Sequence, residues 1–154
     1  MLSDESKEII KNAFYETIEK SAFMFGDEVD EEELEIEYDS FLLAFMTFKG
    51  EGRGKLSLIV PEKMCPEIAA NFLGVEPDDE KVSSCAEDAL KEILNVTCGH
   101  VLTDLKGKKA VFDLTVPQIK RIKKKDWNSY YNNEDSILCI VDDYPVLIHF
   151  QFED

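Results

Sequence analysis

The stretch CAEDALKEILNVTCGH, residues 85–100, determines how the rest of the chain is interpreted, because it predicts one amphipathic helix with two different faces. Successive helical residues are rotated by about 100°, which brings Asp88, Glu92 and Asn95 to one side, with Gly99 one turn further along. The opposite side is a broad apolar sector formed by Ala86, Leu90, Ile93, Leu94, Thr97 and Val101. We therefore predict a helix over about residues 80–104 that buries the apolar sector and exposes the polar line.

The segments before this helix predict two further helices. A loop, VEPDDEK at residues 75–81, offers Asp78 or Asp79 as the N-cap of the long helix. Before the loop, PEIAANFLG at residues 66–74 predicts a short helix that ends at its glycine. Near the start of the chain, a helix over about residues 4–25, capped by Ser3 or Asp4, is predicted from a three-four apolar spacing: Ile9, Ile10, Ala13, Phe14, Ile18 and Ala22.

The other segments predict strands. Leu34, Ile36 and Tyr38 alternate with polar residues, and the glycines of KGEGRGK indicate a hairpin or loop between two apolar runs. The predicted strands after residue 33 are residues 34–38, SFLLAFMTF (40–48), KLSLIV (55–60), KAVFDLTV (109–116), SILCIVDD (136–143) and PVLIHFQFE (145–153), with DDYP (142–145) as the last turn. This order predicts an α+β fold, a mostly antiparallel sheet with long helices packed on it, in one domain covering residues 1–154.

Composition restricts the classes of function. Acidic residues number 33 against 17 basic residues, a formal net charge of −16, so nucleic acid and anionic membranes are not expected as partners. The cysteines at positions 65, 85, 98 and 139 have no zinc-binding spacing, and we expect no metal site in this chain. The chain shows neither a signal peptide nor a membrane-spanning apolar run, which predicts a cytoplasmic protein with reduced thiols.

The polar line on the long helix has an ordinary explanation as well as a functional one. Carboxylates and an amide are common on the solvated face of a helix, and Asp88, Glu92 and Asn95 could be no more than that. Gly99 also has two interpretations: it could let the backbone of another molecule approach the helix closely, or it could merely weaken the end of the helix.

The spacing of four residues resembles a known signature. Asp88, Glu92 and Asn95, followed after twenty-one residues by Pro117, match the pattern of the CheC/CheX/FliY chemotaxis phosphatases, and Gly99 matches a glycine frequent in them. The upstream segments FKGEGRGKLSLIVPEK and AANFLG also resemble the strand, turn, strand and helix of that family. The resemblance is greatest to CheX, because the first helix carries Lys11 where a second copy of the signature would need its asparagine.

The resemblance implies a function and a role for each residue. The substrate would be the aspartyl phosphate of a CheY-type receiver domain, with Mg²⁺ bound by the receiver and no cofactor in this chain. Asn95 would position the attacking water, and Glu92 would pair with a lysine of the receiver. Asp88 would lie at the rim, Gly99 would leave space for the receiver, and Pro117 would shape a supporting loop. The resemblance to CheX also implies a homodimer.

A binding function is the main alternative. Flagellar switch proteins share this fold without the catalytic pair, so the chain could be a non-catalytic receiver-binding module of a two-component or flagellar switch system. The presence of both Glu92 and Asn95 favours the enzyme. Turnover of a phosphorylated receiver, rather than protection of its phosphate, would distinguish the two.

Three other features have less specific interpretations. Cys98 and His100 cannot form a catalytic pair on a helix, because residues two apart point in different directions, and we expect Cys98 to be a packing residue. His149 follows the alternation of the last strand and is expected to be structural. The basic cluster KRIKKK, residues 120–125, is interpreted either as an edge strand protected by lysines or as a contact for an acidic receiver surface.

Overall fold

A seven-stranded antiparallel sheet forms the framework of the protein in the computed structural model, which describes all residues from 1 to 154. The strands are β1 (Gly26–Asp27), β2 (Ser40–Gly50), β3 (Gly52–Pro61), β4 (Phe112–Leu114), β5 (Gln118–Lys123), β6 (Ser136–Val141) and β7 (Tyr144–Glu153). Their order is β1-β6-β7-β3-β2-β4, and β5 pairs with the same outer edge of β2 as β4 does. The prediction of a mostly antiparallel α+β fold is therefore confirmed.

Helices pack on both faces of the sheet, three on one face and one on the other. They are α1 (Asp4–Ala22), α2 (Cys65–Leu73), α3 (Glu80–Lys106) and α4 (Lys124–Tyr131), with a 3₁₀ turn at Glu62–Met64 before α2. The first three helices pack with the alternate strand residues Leu42, Leu58 and Ile148 in one core of 32 buried residues. The intervening residues Phe41 and Leu147 face the other way, where Trp127 of α4 completes a core of 6 residues. The period-two alternation of the strands thus divides the apolar residues between two cores.

Several local predictions are confirmed. Asp79 caps α3, its carboxylate accepting a hydrogen bond from the Lys81 N–H at 2.9 Å. Gly74 ends α2 in the left-handed region (φ 70°), and Ser3 rather than Asp4 caps α1. The turn between β6 and β7 is made by Asp142 and Asp143, both at positive φ. Such a two-residue turn matches the twist of a β-hairpin and therefore fixes the register of the two strands.

Some predicted boundaries are wrong. The helix predicted over 4–25 ends at Ala22, and α3 continues to Lys106. Residues 34–38 form no strand, although Ile36 and Tyr38 do pack on the smaller core. Their backbone has no strand to pair with, because β4 and β5 already occupy the free edge of β2. Alternating burial therefore arises here without a β-ladder.

The segment after α3 differs most from its prediction. KAVFDLTV contributes only the three residues Phe112–Leu114 to the sheet, and β5 and α4, a helix that was not predicted, follow it. Helix α4 begins with a capping arrangement in which the Asp126 carboxylate accepts the backbone N–H of Lys123 at 3.1 Å. The basic cluster is thus divided between two elements: its first four residues belong to an edge strand, as predicted, and Lys124 and Lys125 begin a helix.

Candidate functional site

The polar line predicted on α3 is exposed. Asp88, Glu92 and Asn95 are all accessible to solvent, whereas Leu90, Ile93, Leu94, Thr97 and Val101 of the opposite sector are buried. Only Ala86 of that sector is partly accessible. Residues three and four apart on a helix have Cβ atoms roughly 5–6 Å apart. One carboxylate or amide therefore stands beside the next along about two turns of α3.

A surface depression of about 500 Å³ lies beside this line. One wall is α3, with Asp88, Lys91, Glu92 and Asn95, and the other wall is the segment Leu114–Pro117. Pro117 is distant from Asn95 in the sequence, yet both line the same depression. Three residues of the α3 line and the proline of the signature thus share one surface feature, in which Gly99 takes no part.

The wall opposite α3 is a bulge between β4 and β5. Leu114 pairs with Phe48 and Gln118 pairs with Phe45, so three residues, Thr115–Pro117, face only two residues of β2. A bulge of this kind is one of the few places in a sheet that accept proline, because proline has no N–H to donate to the ladder. Pro117 therefore interrupts the strand and directs the chain toward α3.

Thr115 fixes this bulge to β2. The backbone N–H of Thr47 donates to the Thr115 hydroxyl at 2.9 Å, and the Thr115 N–H donates to the Thr47 carbonyl at 2.9 Å. The two threonine hydroxyls lie 3.1 Å apart, within hydrogen-bond distance. Several hydrogen bonds at one residue hold the second wall of the depression in place.

The polar side chains of the depression are available to another molecule. The side-chain hydrogen bonds within α3 lie in its first turns, at Ser83 and Ser84, and none involves Glu92 or Asn95. Lys91 is partly buried and takes part in none of the ion pairs of the protein. The site therefore presents two unpaired carboxylates, an unpaired amide and an unpaired cation.

Sequence reasoning did not find Lys91, Leu114, Thr115 and Val116 as residues of this depression. Lys91 could have been found, because it lies four residues before Asn95 on the same helix. Leu114 and Val116 are 39% and 79% exposed and give the rim an apolar character. Their position follows from the bulge, which no sequence pattern indicated.

Gly99 lies one turn beyond Asn95 on α3. The fold of the chain does not require a glycine at this position. A Cβ added to this residue would meet no neighbouring atom within 4 Å. The space beside this turn of α3 is therefore open.

The cysteine-histidine arrangement is not a nucleophilic site. Cys98 is fully buried, and burial raises the pKa of its thiol to about 12. His100 is turned toward Asp104 and Glu16, with its Nε2 at 3.2 and 3.4 Å from their carboxylates. The expectation that Cys98 is a packing residue is confirmed.

The basic edge strand is partly neutralised. The Arg121 guanidinium donates to both carboxylate oxygens of Glu62, at 3.0 and 2.7 Å, and these bonds, assisted by the Ser40 hydroxyl, lower the pKa of Glu62.

No three His, Cys, Asp or Glu side chains are grouped so that they could hold a metal ion. No helix combines the length with the apolar character that crossing a bilayer would need.

A family model describes most of this architecture. Residues 42–141 match the model of the chemotaxis phosphatase CheX, which is more than half of the chain. The chain belongs to the CheX family. The match includes most of β2, the bulge and the whole of α3, so it contains both walls of the depression. No curated protein matches the sequence.

Solved structures show the same fold as this CheX-family chain. A chemotaxis protein CheX from Desulfovibrio desulfuricans superposes with a TM-score of 0.70 at 14% identity, over 97% of this chain and 99% of the other. The CheX of a CheX–CheY–BeF3–Mg complex from Borrelia burgdorferi gives 0.63 at 18% identity, over 96% and 97%. A CheC-like protein from Shewanella gives 0.62 at 18% identity, over 99% and 100%.

Proposed function

We propose that this CheX-family protein hydrolyses the aspartyl phosphate of a CheY-type receiver domain. The observation that carries the proposal is the convergence of Glu92, Asn95 and Pro117 on one exposed depression, with no intramolecular partner for the carboxylate or the amide. Membership of a phosphatase family and a related CheX that forms a complex with CheY support the receiver as partner. A cytoplasmic location, where such receivers occur, belongs to this proposal.

Asn95 would act on the attacking water. Its amide oxygen accepts a hydrogen bond from the water, and its NH₂ group donates to another oxygen, so one side chain fixes the direction of attack. The water oxygen forms a bond to phosphorus while the bond from phosphorus to the receiver's carboxylate oxygen breaks. Inorganic phosphate and the free carboxylate are the products. A loose transition state of this kind depends on positioning more than on a strong base.

Glu92 would hold the receiver. An exposed carboxylate without an internal partner is available to pair with a lysine of the receiver, and a charge-assisted hydrogen bond gives both energy and orientation. Asp88 lies one turn earlier at the rim of the depression. Any Mg²⁺ needed for the reaction would be bound by the receiver and is outside this chain.

Lys91 adds a positive charge to the depression. The phosphoryl group of the receiver and the acidic residues around it are anionic. This chain is anionic as well, with a formal net charge of −16, so the two proteins repel one another. A cation at the contact reduces the repulsion that these charges create and increases the rate of encounter. The apolar rim of Leu114 and Val116 would be covered by the same receiver.

Phosphate release from a phosphorylated receiver tests the proposal directly. The protein is added at a small molar fraction of the receiver, and inorganic phosphate is followed over time. Many phosphates released per protein molecule are expected. Slower loss of phosphate than from the receiver alone would instead mean that the protein is a receiver-binding module.

We also propose that the protein is a homodimer, as the resemblance to CheX implies. The depression is complete within one chain, because α3 and the bulge of the same chain form both walls. Hydrolysis is therefore independent of the dimer in this proposal.

A further inference from the structure

A row of polar residues crosses the sheet on the face away from α3. Ser57 of β3 and Ser136 of β6 are both in register with His149 of β7, so the three residues form one line across three strands. Ser57 is 1% exposed and His149 is 6% exposed. The nearby positions on this face, Ile59 and Leu147, are apolar and belong to the core beneath α4.

Each residue of this row has a buried polar atom without a partner inside the protein. The atoms are Ser57 Oγ, Ser136 Oγ and His149 Nε2. Buried polar groups are hydrogen-bonded in the great majority of cases, and each exception requires a physical explanation. Three such exceptions side by side, next to the apolar positions Ile59 and Leu147, indicate a local role for polar groups.

A depression of about 310 Å³ lies above the row. Ser57 and His149 form its floor, and its other lining residues are Lys55, Ser129, Tyr130, Asn133 and Gln151. Every lining side chain offers a hydrogen-bond donor, and none is acidic. The lining thus combines hydrogen-bond donors with one lysine and no carboxylate, although the chain has 33 acidic residues.

Most of the surrounding donors are free; the Ser129 hydroxyl is the exception, because it already donates to the Lys125 carbonyl at 3.3 Å. Asn133 Oδ1 already accepts from the Asp135 N–H at 2.8 Å, which leaves its NH₂ group available. The Lys55 ammonium lies 4.6 Å from the centre of the Phe45 ring and takes part in no ion pair. Asp135, an acid whose charge acts on His149, has its carboxylate directed to the backbone N–H of Leu2 at 3.0 Å.

We propose that this depression binds a small oxyanion, a phosphate or a carboxylate, through His149, Ser57 and Lys55. The hydroxyl of Ser57 and the Nε2–H of His149 would donate to the anion from the floor, and Lys55 would supply the positive charge. The site is on the opposite side of the sheet from Glu92 and Asn95, so it is separate from the proposed catalytic depression.

The state of His149 is compatible with this role. Burial, opposed by Asp135 and assisted by Lys55, lowers the pKa of His149, so the imidazole is neutral near neutral pH and keeps one N–H. Tyr130 stacks edge to face on the imidazole with ring centres 5.4 Å apart, which restricts the ring without using its nitrogen atoms.

Imidazole NMR provides the test, because the chain has only two histidines. The full-length protein with ¹⁵N-labelled histidine is titrated near neutral pH with sodium phosphate and, separately, with sodium acetate at constant ionic strength. The His100→Gln variant assigns the signals. We expect saturable shifts of the His149 nitrogens, with His100 unchanged, and the two titrations show which oxyanion binds more tightly.

Matched variants decide whether the NMR shifts of His149 report a specific binding site. Lys55→Met should weaken binding about tenfold, the effect of losing one charge-assisted hydrogen bond, whereas Lys49→Met, which removes the same charge from the exposed end of β2, should not. Ser57→Ala should also weaken binding and leave the urea midpoint equal or higher, because it removes an unpaired hydroxyl. Shifts that do not saturate, or that are the same in Lys55→Met, would overturn the proposal.

Discussion

The Thr115 hydroxyl accepts a hydrogen bond from the backbone N–H of Thr47 at 2.9 Å, and this contact joins the wall of the depression to the central part of the sheet. The contact adds to the hydrogen bond from the Thr115 N–H to the Thr47 carbonyl and to the ladders of β4 and β5 on either side of the bulge. The position of Pro117 relative to Asn95 therefore depends on Thr115, which is not a residue of the signature.

Thr115→Val should lower phosphatase activity more than stability. The hydroxyl is partly exposed, so its loss should cost about 0.5–1.5 kcal/mol of folding free energy. A displacement of the wall by about 1 Å can reduce a rate by up to about 10²-fold. Phosphate release and urea unfolding measure the two effects. Thr115→Ser should keep wild-type activity, and Thr103→Val on the exposed side of α3 should change neither quantity. Equal activity of Thr115→Val and wild type would mean that the wall does not contribute.

The sequence was sufficient to predict the parts of the site that lie on one element. Asp88, Glu92 and Asn95 are brought together by helical periodicity alone, and the cap at Asp79 fixes where the helix begins. The antiparallel sheet also followed from local patterns, because glycines and the Asp142–Asp143 turn indicated hairpins.

The parts that depend on contacts distant in sequence could not be predicted. The bulge exists because β4 and β5 pair with the same edge of β2 with three residues opposite two, a count that only the register reveals. Residues 34–38, whose alternation resembles a strand, lack a pairing partner because β4 and β5 already occupy this edge of β2. Helix α4 was missed because its lysine-rich beginning resembled the preceding strand.

Glu92→Ala should weaken productive docking. Removing one partner of a desolvated charge pair costs about 2–5 kcal/mol, and less when the pair is at the rim of an interface. The affinity for a stably phosphorylated or phosphate-mimic receiver and the KM of phosphate release should both reflect the loss. Glu80→Ala is the matched control, because it removes the same charge from the same helix about 18 Å away along the axis. Wild-type affinity and turnover in Glu92→Ala would show that no such ion pair forms.

Lys91→Met should slow the encounter with the receiver. The change removes the one basic side chain of the depression and keeps most of its apolar stem, so packing on α3 should be preserved. At low ionic strength the second-order rate of dephosphorylation should fall about tenfold, and the difference from wild type should shrink as salt is added. Lys81→Met in the first turn of α3 should behave like wild type. A loss in Lys91→Met that does not vary with salt would argue against an electrostatic role.

The proposed homodimer makes a prediction about ionic strength. Two chains with a formal charge of −16 each repel one another, and salt screens this repulsion. Sedimentation at micromolar concentration should therefore show a dimer whose population rises with added salt. Monomer alone at all salt concentrations would contradict the dimer, but hydrolysis could persist, because both walls of the depression belong to one chain.

Asn95→Ala should separate catalysis from binding. The amide is proposed to act on the water during bond cleavage, and removing one polar group that acts in the transition state typically costs about 10²–10³ in rate. Affinity for the receiver should change little, because Glu92, Lys91 and the apolar rim remain. Folding should also be nearly unaffected, since Asn95 is exposed and makes no side-chain hydrogen bond, and exposed substitutions usually stay within about 0.5 kcal/mol.

Thermal melts, receiver binding and phosphate release on one preparation of Asn95→Ala check these three expectations together. Val116→Ala is the matched comparison, because it changes an apolar residue of the rim, 79% exposed, and should affect affinity rather than the chemical step. A stable Asn95→Ala protein that binds the receiver and still releases phosphate at the wild-type rate would make Asn95 an ordinary surface residue. The exposed polar line of α3 would then be a solvated helix face, and the receiver-binding function would have to rest on Glu92 and the rim alone.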